Sequence, residues 1–460
     1  MLFSSNVFLF VYLPIVLLLY YALPRPLKNP VLLLFSLVFY GWGEPVYLIL
    51  MVFTIMMDYV FGVLIHNKQK KGKSAKAVLI IGVVANLLLL GFFKYTSFIV
   101  DQIKIIPWFS SIETPDISLP IGISFYIFQS MSYIIDVYRN DAPFQKNPAT
   151  LGTYVTLFPQ LIAGPIVRYG DVAEQLEKRE ENITDFSSGV MLFIFGLSKK
   201  VLLANPMGNL WNTLSVEDGT LASWMGIAAY SLQIYFDFSG YSDMARGLGR
   251  MFGFEFLENF NYPYISKSIT EFWRRWHISL STWFKEYVYI PLGGNRRGLS
   301  RQIVNILVVW ALTGLWHGAS WNFVFWGLYY GILLIIEKSV LLKILKKAPS
   351  FVCHIYSLIA VMLGWVLFYF EDTATLWAFI AKLFTPASAD KNTVAVMIAY
   401  LPMLIISMFA ATPIMKNAFS KHQNSVVVRY GKIVVIAILM ILCVAALASQ
   451  SYNPFIYFRF

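Results

Sequence analysis

The sequence predicts an all-α polytopic integral membrane protein with about 10–12 transmembrane helices. Of its 460 residues, 58% are hydrophobic and only 13% are charged, and the mean hydropathy is +0.63. Apolar runs long enough to span a bilayer, about 20 residues each, recur from one end of the chain to the other. The loops between them leave no room for a soluble domain, so residues 1–460 are expected to form a single membrane domain.

The positive charge of the chain is explained by its membrane topology. The net charge is +11, and lysine and arginine accumulate on the cytoplasmic loops of membrane proteins. No nucleic-acid partner is therefore needed to account for it. The basic loops at 67–76 and 338–347 are expected in the cytoplasm, with the N-terminus outside. The two cysteines, Cys353 and Cys443, lie in apolar segments and predict neither a disulfide nor a metal framework.

The order of apolar and polar stretches predicts where the chain crosses the membrane. Residues 1–23 are predicted to be a retained helix, because no basic region precedes them and no small-residue cleavage site follows. Residues 94–116 are expected on the outer surface, and 151–167, interrupted by two prolines, is expected to be re-entrant. Spans are predicted at 31–65 (crossing twice), 77–93, 117–138, 187–204, 221–240, 302–337 (a hairpin), 351–370, 394–411 and 431–449, with 373–387 left unassigned.

Residues 261–298 are amphipathic and predict a helix that lies in the membrane interface. The sequence Ser268-Ile269-Thr270-Glu271 matches a capping box, so a helix is expected to begin there. Aromatic residues follow on one face, and Arg274 and Arg275 belong to the opposite, mostly polar face. These two arginines are candidates for binding a phosphorylated donor at the cytoplasmic surface. The alternative is that they only anchor the helix to anionic lipid.

His317 is the first candidate for chemistry, within the run W-A-L-T-G-L-W-H-G-A-S-W at 310–321. An ionisable side chain at the centre of a membrane helix costs roughly 3 kcal/mol, so it commonly marks a working site. From residue 302 to 316 a helix rises about 22 Å, which carries His317 beyond the middle of the bilayer. The alternative is a structural histidine bonded to a neighbouring carbonyl group.

His277, in W-R-R-W-H-I-S-L-S, is the second candidate. Its alternative is an exposed histidine at the level of the lipid headgroups. The other histidines, His66, His354 and His422, are expected to be structural. No H-x-x-x-H pair or carboxylate cluster predicts a metal site, and no G-x-S-x-G motif predicts a nucleophilic serine. A buried imidazole beside a basic, aromatic rim suits general-base activation of a hydroxyl group or transient acyl capture.

Several stretches resemble the membrane-bound O-acyltransferase family, in its bacterial branch typified by the alginate O-acetyltransferase membrane subunit. The three most specific are E-N-F-N-Y-P-Y-I-S-K-S-I-T-E-F-W-R-R-W-H-I-S-L-S-T-W at 258–283, Y-I-P-L-G-G-N-R-R-G at 289–298 and G-L-W-H-G-A-S-W at 314–321. Similar segments at 118–129, 157–168 and 453–460 extend the likeness to nearly the whole chain.

This resemblance implies a mechanism that composition and periodicity do not give. It implies that His317 is the essential histidine of the family, and that His277 occupies a second position where distant relatives commonly have asparagine. It implies a ring of spans around a central tunnel that meets a donor from the cytoplasm and an acceptor from outside. No bound cofactor is expected, and acetyl-CoA is the expected acyl donor. The implied partners are an extracytoplasmic SGNH-type acetyltransferase and polysaccharide biosynthesis and export machinery at a bacterial inner membrane.

The expected function is therefore transfer of an acetyl group toward hydroxyls of an exported polysaccharide such as alginate. Peptidoglycan and cellulose are alternative acceptors. A transporter or channel is the alternative class, because it would also contain an ionisable residue within the membrane. Transporters favour paired inverted halves with broken helices at matching positions. Only one such break is visible, at 157–167, so the enzyme is preferred.

Overall fold

The computed structural model describes residues 1–162, 164–421, 425–449 and 455–456. His422 and most of the 453–460 segment therefore lie outside the described residues. Throughout the described part, every regular element is helical. This is expected of an apolar chain, since a helix satisfies its own backbone hydrogen bonds where lipid offers none. The prediction of an all-α polytopic membrane protein is confirmed.

The described residues form 21 α-helices. The first eleven are α1 (Leu13–Ala22), α2 (Arg25–Gly41), α3 (Tyr47–Lys70), α4 (Lys76–Lys104), α5 (Ile123–Arg139), α6 (Pro148–Thr156), α7 (Phe158–Leu161), α8 (Tyr169–Glu177), α9 (Ile183–Ser198), α10 (Asn205–Leu214) and α11 (Thr220–Met251). The others are α12 (Ile269–Arg275), α13 (Ile278–Phe284), α14 (Leu299–His317), α15 (Trp321–Ile336), α16 (Leu342–Leu345), α17 (Ser350–Tyr369), α18 (Thr373–Phe384), α19 (Lys391–Ala410), α20 (Ile414–Lys421) and α21 (Val426–Ser449). Short π-helical segments occur at Phe8–Tyr12, Lys199–Ala204, Lys285–Tyr289 and Glu337–Leu341.

Seven helical segments of the described chain are long and apolar enough to cross a bilayer. They are Tyr47–Lys70, Lys76–Lys104, Ile183–Leu214, Leu299–His317, Ser350–Tyr369, Lys391–Ala410 and Tyr430–Ser449. Two shorter apolar helices, Phe8–Ala22 and Thr373–Phe384, accompany them. The interruption predicted within 151–167 is present, because α6 ends at Thr156 and α7 begins at Phe158.

The predicted end of the 77–93 span is wrong. Helix α4 continues without interruption to Lys104, so residues 94–104 of the expected surface segment, 94–116, belong to this helix. Lys94, the first residue of that expected segment, is only 7% exposed, and its Nζ lies 3.0 Å from the Ser124 hydroxyl. A lysine with a buried polar partner is compatible with a continuing helix. The unassigned stretch 373–387 also contains a helix, α18.

The chain divides into two compact units. The first contains Met1–Phe193 and Ser242–Leu257. At its centre the Asp58 carboxylate is fully buried and accepts hydrogen bonds from Asn86 Nδ2, at 2.8 Å, and from the Ser130 hydroxyl. Sequence periodicity gave no indication of this polar cluster.

The second unit contains Ile194–Tyr241 and Glu258–Ile456, and with them all four candidate site residues. Its central feature is the hairpin formed by α14 and α15. A Cβ added at Gly314 would lie 2.3 Å from the Phe323 carbonyl oxygen, and one at Gly327 would lie 2.4 Å from that of Trp310. The two backbones are therefore in direct contact, as small residues permit in membrane helices. This contact fixes the hairpin that carries His317.

Candidate active site

His317 is the last residue of α14, at the tip of the predicted hairpin. Gly318 follows, and α15 begins three residues later at Trp321. A Cβ at Gly318 would lie 2.2 Å from the Phe323 ring, so only glycine allows the chain to turn this closely over α15. The His317 side chain is 4% exposed. Its burial, predicted from the apolar run, is confirmed.

Aromatic rings surround the His317 imidazole. Its ring centroid lies 5.1 Å from Trp316, 4.9 Å from Trp326 and 5.3 Å from Phe368, each at a steep angle. These rings come from α14, α15 and α17, so three helices define the orientation of the histidine. Such surroundings exclude bulk water and strengthen any electrostatic interaction that the imidazole makes.

The N-terminus of α12 is capped by side chains from two directions. The Ser268 hydroxyl accepts the backbone N–H of Glu271 at 3.0 Å, which confirms the predicted helix start. The Glu271 carboxylate accepts the N–H of Lys267 rather than that of Ser268, so the capping box is one residue wider than predicted. Glu337, fully buried, accepts the N–H groups of Ile269 and Thr270 at 2.6 and 2.8 Å. The segment after α15 is thereby tied to α12.

The prediction of one continuous interfacial helix is wrong. Helix α12 ends at Arg275 and α13 begins at Ile278, with His277 between them in the left-handed conformation at φ 46°. The break is stabilised from outside the helix. The N–H of Ile278 donates to the Asn259 carbonyl oxygen at 3.0 Å, and that of Asn261 donates to the Arg275 carbonyl oxygen at 2.9 Å. These partners lie far enough upstream that helical periodicity cannot reveal them.

Asn259 also defines the tautomer of His277. The Asn259 Oδ1 atom accepts the backbone N–H of Ser279 at 3.1 Å and the Ser279 hydroxyl at 3.0 Å. A backbone N–H can only donate, so this atom is the amide oxygen and not the nitrogen. His277 Nδ1, at 3.2 Å from the same oxygen, must then carry the proton. The lone pair of the neutral ring is left on Nε2.

His277 is buried and neutral. Its side chain is 1% exposed, which excludes the alternative of a solvated histidine at the headgroup level. Burial lowers its pKa to about 3, and the Phe238 ring lies 4.7 Å away, edge to face. The Trp316 ring lies 6.0 Å from His277 and 5.1 Å from His317. The two candidate histidines therefore share one indole as a neighbour.

Comparison with known proteins identifies the family of this chain. The family described as MBOAT, membrane-bound O-acyltransferase family, matches residues 145–380, which include both histidines. The chain belongs to this family. A probable alginate O-acetylase from Azotobacter vinelandii is 39% identical over 100% of both chains. Another, from Pseudomonas aeruginosa, is 43% identical over 84% of this chain and 75% of its own. A peptidoglycan O-acetyltransferase from Helicobacter pylori is 36% identical over 80% of this chain and 77% of its own.

The protein is thus a multi-pass membrane acyltransferase of the bacterial branch that holds the alginate O-acetylases, as the sequence motifs implied. The matched region contains the whole of the hairpin α14–α15, the broken helix α12–α13 and the Asn259 segment. These are the elements that position the two histidines.

The two arginines of this acyltransferase have different surroundings. The Arg275 guanidinium pairs with Glu271 at 2.9 Å and donates to the Asn261 carbonyl oxygen at 3.1 Å. Arg274 is exposed. Partial burial of its ammonium group, together with the positive charge of Arg274, lowers the pKa of the otherwise exposed Lys338, so these two cations are neighbours. The sequence analysis used the basic loop that begins at Lys338 only as a marker of the cytoplasmic side and did not consider Lys338 as a candidate site residue.

Proposed function

We propose that the protein transfers an acetyl group from a cytoplasmic donor toward hydroxyl groups of an extracytoplasmic polysaccharide, in a bacterial inner membrane. The observation that carries the proposal is the pair of buried histidines on either side of Trp316. The names of the relatives support acetyl as the acyl group. Alginate is the first candidate acceptor, because of the similarity to alginate O-acetylases. Peptidoglycan is the second, because of the similarity to the peptidoglycan O-acetyltransferase from Helicobacter pylori. Cellulose is a third.

In the proposed reaction His317 is the general base. Its neutral imidazole takes the proton of the attacking hydroxyl while the oxygen bonds to the carbonyl carbon of the acetyl thioester. The carbon–sulfur bond then breaks, and the proton on His317 passes to the departing thiolate. Enclosure by Trp316, Trp326 and Phe368 supports this role, because a dry site keeps water from competing as the nucleophile. Transient acetylation of His317 is the alternative route.

His277 is proposed to hold the attacking hydroxyl. With its proton on Nδ1, the ring offers the Nε2 lone pair as a hydrogen-bond acceptor. An asparagine side chain offers an amide oxygen for the same purpose, which fits the asparagine implied for distant relatives at this position. The low pKa of His277, about 3, supports an acceptor that stays neutral rather than a group that exchanges protons.

Acetyl-CoA is the proposed donor, with Arg274 and Lys338 binding its phosphate groups. Both cations are exposed, and no carboxylate pairs with either of them within the described chain. Arg275, which is held by Glu271, is proposed to brace the helix beside that site. The proposed partners are an SGNH-type acetyltransferase outside the membrane and the machinery that builds and exports the polysaccharide.

Sealed vesicles of defined orientation test the function. Radiolabelled acetyl-CoA supplied on the cytoplasmic face should deliver acetyl to a soluble acceptor or partner enzyme enclosed on the other face, and free CoA should appear in equal amount. A transporter would instead carry the intact donor across without releasing CoA. Vesicles with the His317→Gln variant are the control. Transfer that persists in this variant at the wild-type rate would refute the proposed base.

A further inference from the structure

Among the buried hydrogen-bond donors of the second unit that have no acceptor within the described residues, three lie close together. They are the indole nitrogens Trp273 Nε1 and Trp326 Nε1 and the hydroxyl of Tyr330, and none bonds to another atom of the described residues. Trp326 is 1% and Tyr330 0% exposed. Trp273 is half-buried, but its Nε1 is inaccessible. Buried polar groups normally have a partner, and each exception requires an explanation.

The three donors belong to one cluster. The rings of Trp273 and Trp326 are 5.6 Å apart, those of Trp273 and Tyr330 are 4.8 Å apart, and those of Trp326 and Tyr330 are 5.3 Å apart. A Cβ at Gly364 would lie 2.2 Å from Tyr330 Oη, so α17 makes room for this hydroxyl by having no side chain there. These contacts place the three donors side by side in one ordered aromatic cluster.

The cluster adjoins both the proposed base, His317, and the proposed phosphate-binding residue, Arg274. Trp326 contacts His317, with ring centroids 4.9 Å apart. At the other end, Trp273 directly precedes Arg274 in α12. A donor molecule that has its phosphates at Arg274 and its thioester at His317 would have to pass this cluster. This step rests on the function proposed above.

The chemistry of the donors specifies their ligand. An indole N–H donates and cannot accept, so its partner must be an acceptor such as a carbonyl oxygen. An acetyl thioester has one carbonyl oxygen at the reacting carbon, and the pantetheine arm of CoA has two further amide carbonyl groups. A preorganised N–H beside the reacting carbonyl stabilises the negative charge that develops on its oxygen.

We propose that the Trp326 indole donates a hydrogen bond to the thioester carbonyl oxygen of the acyl donor, and that Trp273 and Tyr330 bind amide carbonyls of its arm. When the acceptor hydroxyl attacks, the oxygen–carbon bond forms and the carbonyl oxygen becomes anionic against Trp326 Nε1–H. As this anion collapses, the carbon–sulfur bond breaks and the thiolate receives the proton held by His317. Trp326 itself neither gains nor loses a proton.

Two non-reactive analogues of acetyl-CoA test the site by binding. Acetonyl-CoA keeps the carbonyl group, whereas propyl-CoA replaces it with a methylene group. The wild-type protein in detergent should bind acetonyl-CoA about fivefold more tightly, which is the worth of one hydrogen bond. In Trp326→Phe, which removes the N–H but keeps a ring, this preference should vanish. Trp310→Phe is the matched control, since Trp310 lies 4.6 Å from Trp273 in the same cluster but is not one of the orphan donors.

Turnover gives a second measurement. Trp326→Phe should lower kcat by about 100-fold with little change in KM, as expected for a lost oxyanion donor. Trp273→Phe and Tyr330→Phe should mainly raise the KM for acetyl-CoA. A carbonyl preference that survives in Trp326→Phe would overturn the site while leaving the acyltransferase function intact. Binding of neither analogue to the wild-type protein would refute acetyl-CoA as the donor, and the proposed site with it.

Discussion

The hairpin that carries His317 and the broken helix that carries His277 position their histidines by different means. In the hairpin, backbone contact at Gly314 and Gly327 and a shell of aromatic rings enclose the imidazole. In the broken helix, a left-handed residue donates a hydrogen bond to an asparagine 18 positions upstream. The first arrangement depends on shape and the second on polar contacts. A substitution should therefore have different consequences at the two places.

The largest expected effect is at His317. Replacement by glutamine keeps hydrogen-bonding capacity but removes the proton acceptor. Acetyl transfer per folded molecule should fall by about 10²–10⁴-fold, the usual loss for a positioned acid–base group. Expression and thermal stability in detergent should stay normal. His354→Gln is the control, because His354 contacts the Ser266 carbonyl oxygen away from His317. Near-wild-type transfer by His317→Gln would make His317 structural.

Substitutions of Asn259 test whether His277 is oriented by a hydrogen bond or only by packing. Leucine at this position removes the acceptor of His277 and Ser279, and transfer should fall by about 10–100-fold because the ring loses its orientation. Asn259→Asp keeps every acceptor and should retain most activity. If His277 instead presented its lone pair to an amide N–H, aspartate would be as inactive as leucine. Rates of both variants, measured per folded molecule, decide between the two tautomers.

The aspartate variant also predicts a change in pH dependence. A carboxylate beside Nδ1–H favours the imidazolium ion and so raises the pKa of His277 from its value of about 3. The proposed role requires the neutral ring. In the wild type, protonation of His277 therefore has no effect above about pH 4. In Asn259→Asp, activity should be lost as the pH falls through the raised pKa, and the acid limb should lie at higher pH. An unchanged acid limb would contradict the assignment.

These two regions also differ in how well the sequence predicted them. The hairpin follows from local signals: an apolar run bounded by basic residues, glycine pairs and one histidine. The helix break at His277 does not, since the apolar face of 268–287 continues across it without a change of period. Its cause is Asn259, a long-range partner in an irregular segment. The predicted end of the 77–93 span is wrong for the same reason, because Ser124, the partner of Lys94, belongs to another helix.

The cationic rim, formed by Arg274, Arg275 and Lys338, should contribute moderately to donor binding. Its two arginines should differ, because only Arg274 is proposed to bind the phosphates. Neutralising Arg274 and Lys338 together should raise the KM for acetyl-CoA about three- to tenfold, because exposed cations contribute modestly to phosphate binding. Arg275→Gln should leave KM unchanged and lower thermal stability, since its guanidinium holds Glu271 and Asn261. A KM that rises only in Arg275→Gln would reverse these assignments. An unchanged KM in all variants would contradict donor binding by these cations and favour the alternative that they anchor the helix to anionic lipid.

The smallest effect is expected for His277→Asn. Asparagine tolerates the left-handed conformation that residue 277 adopts at φ 46°, so α12 and α13 keep their break. Its amide oxygen still accepts a hydrogen bond, and a group with a pKa near 3 contributes no proton exchange near neutral pH that asparagine would lack. Transfer should therefore fall only about two- to fivefold, the cost of a weaker or misplaced acceptor. His277→Leu, with no acceptor and a branched side chain, should lose far more. Equal losses in the two variants would mean that His277 acts as a titrating group, and the hydroxyl-binding role would then fail.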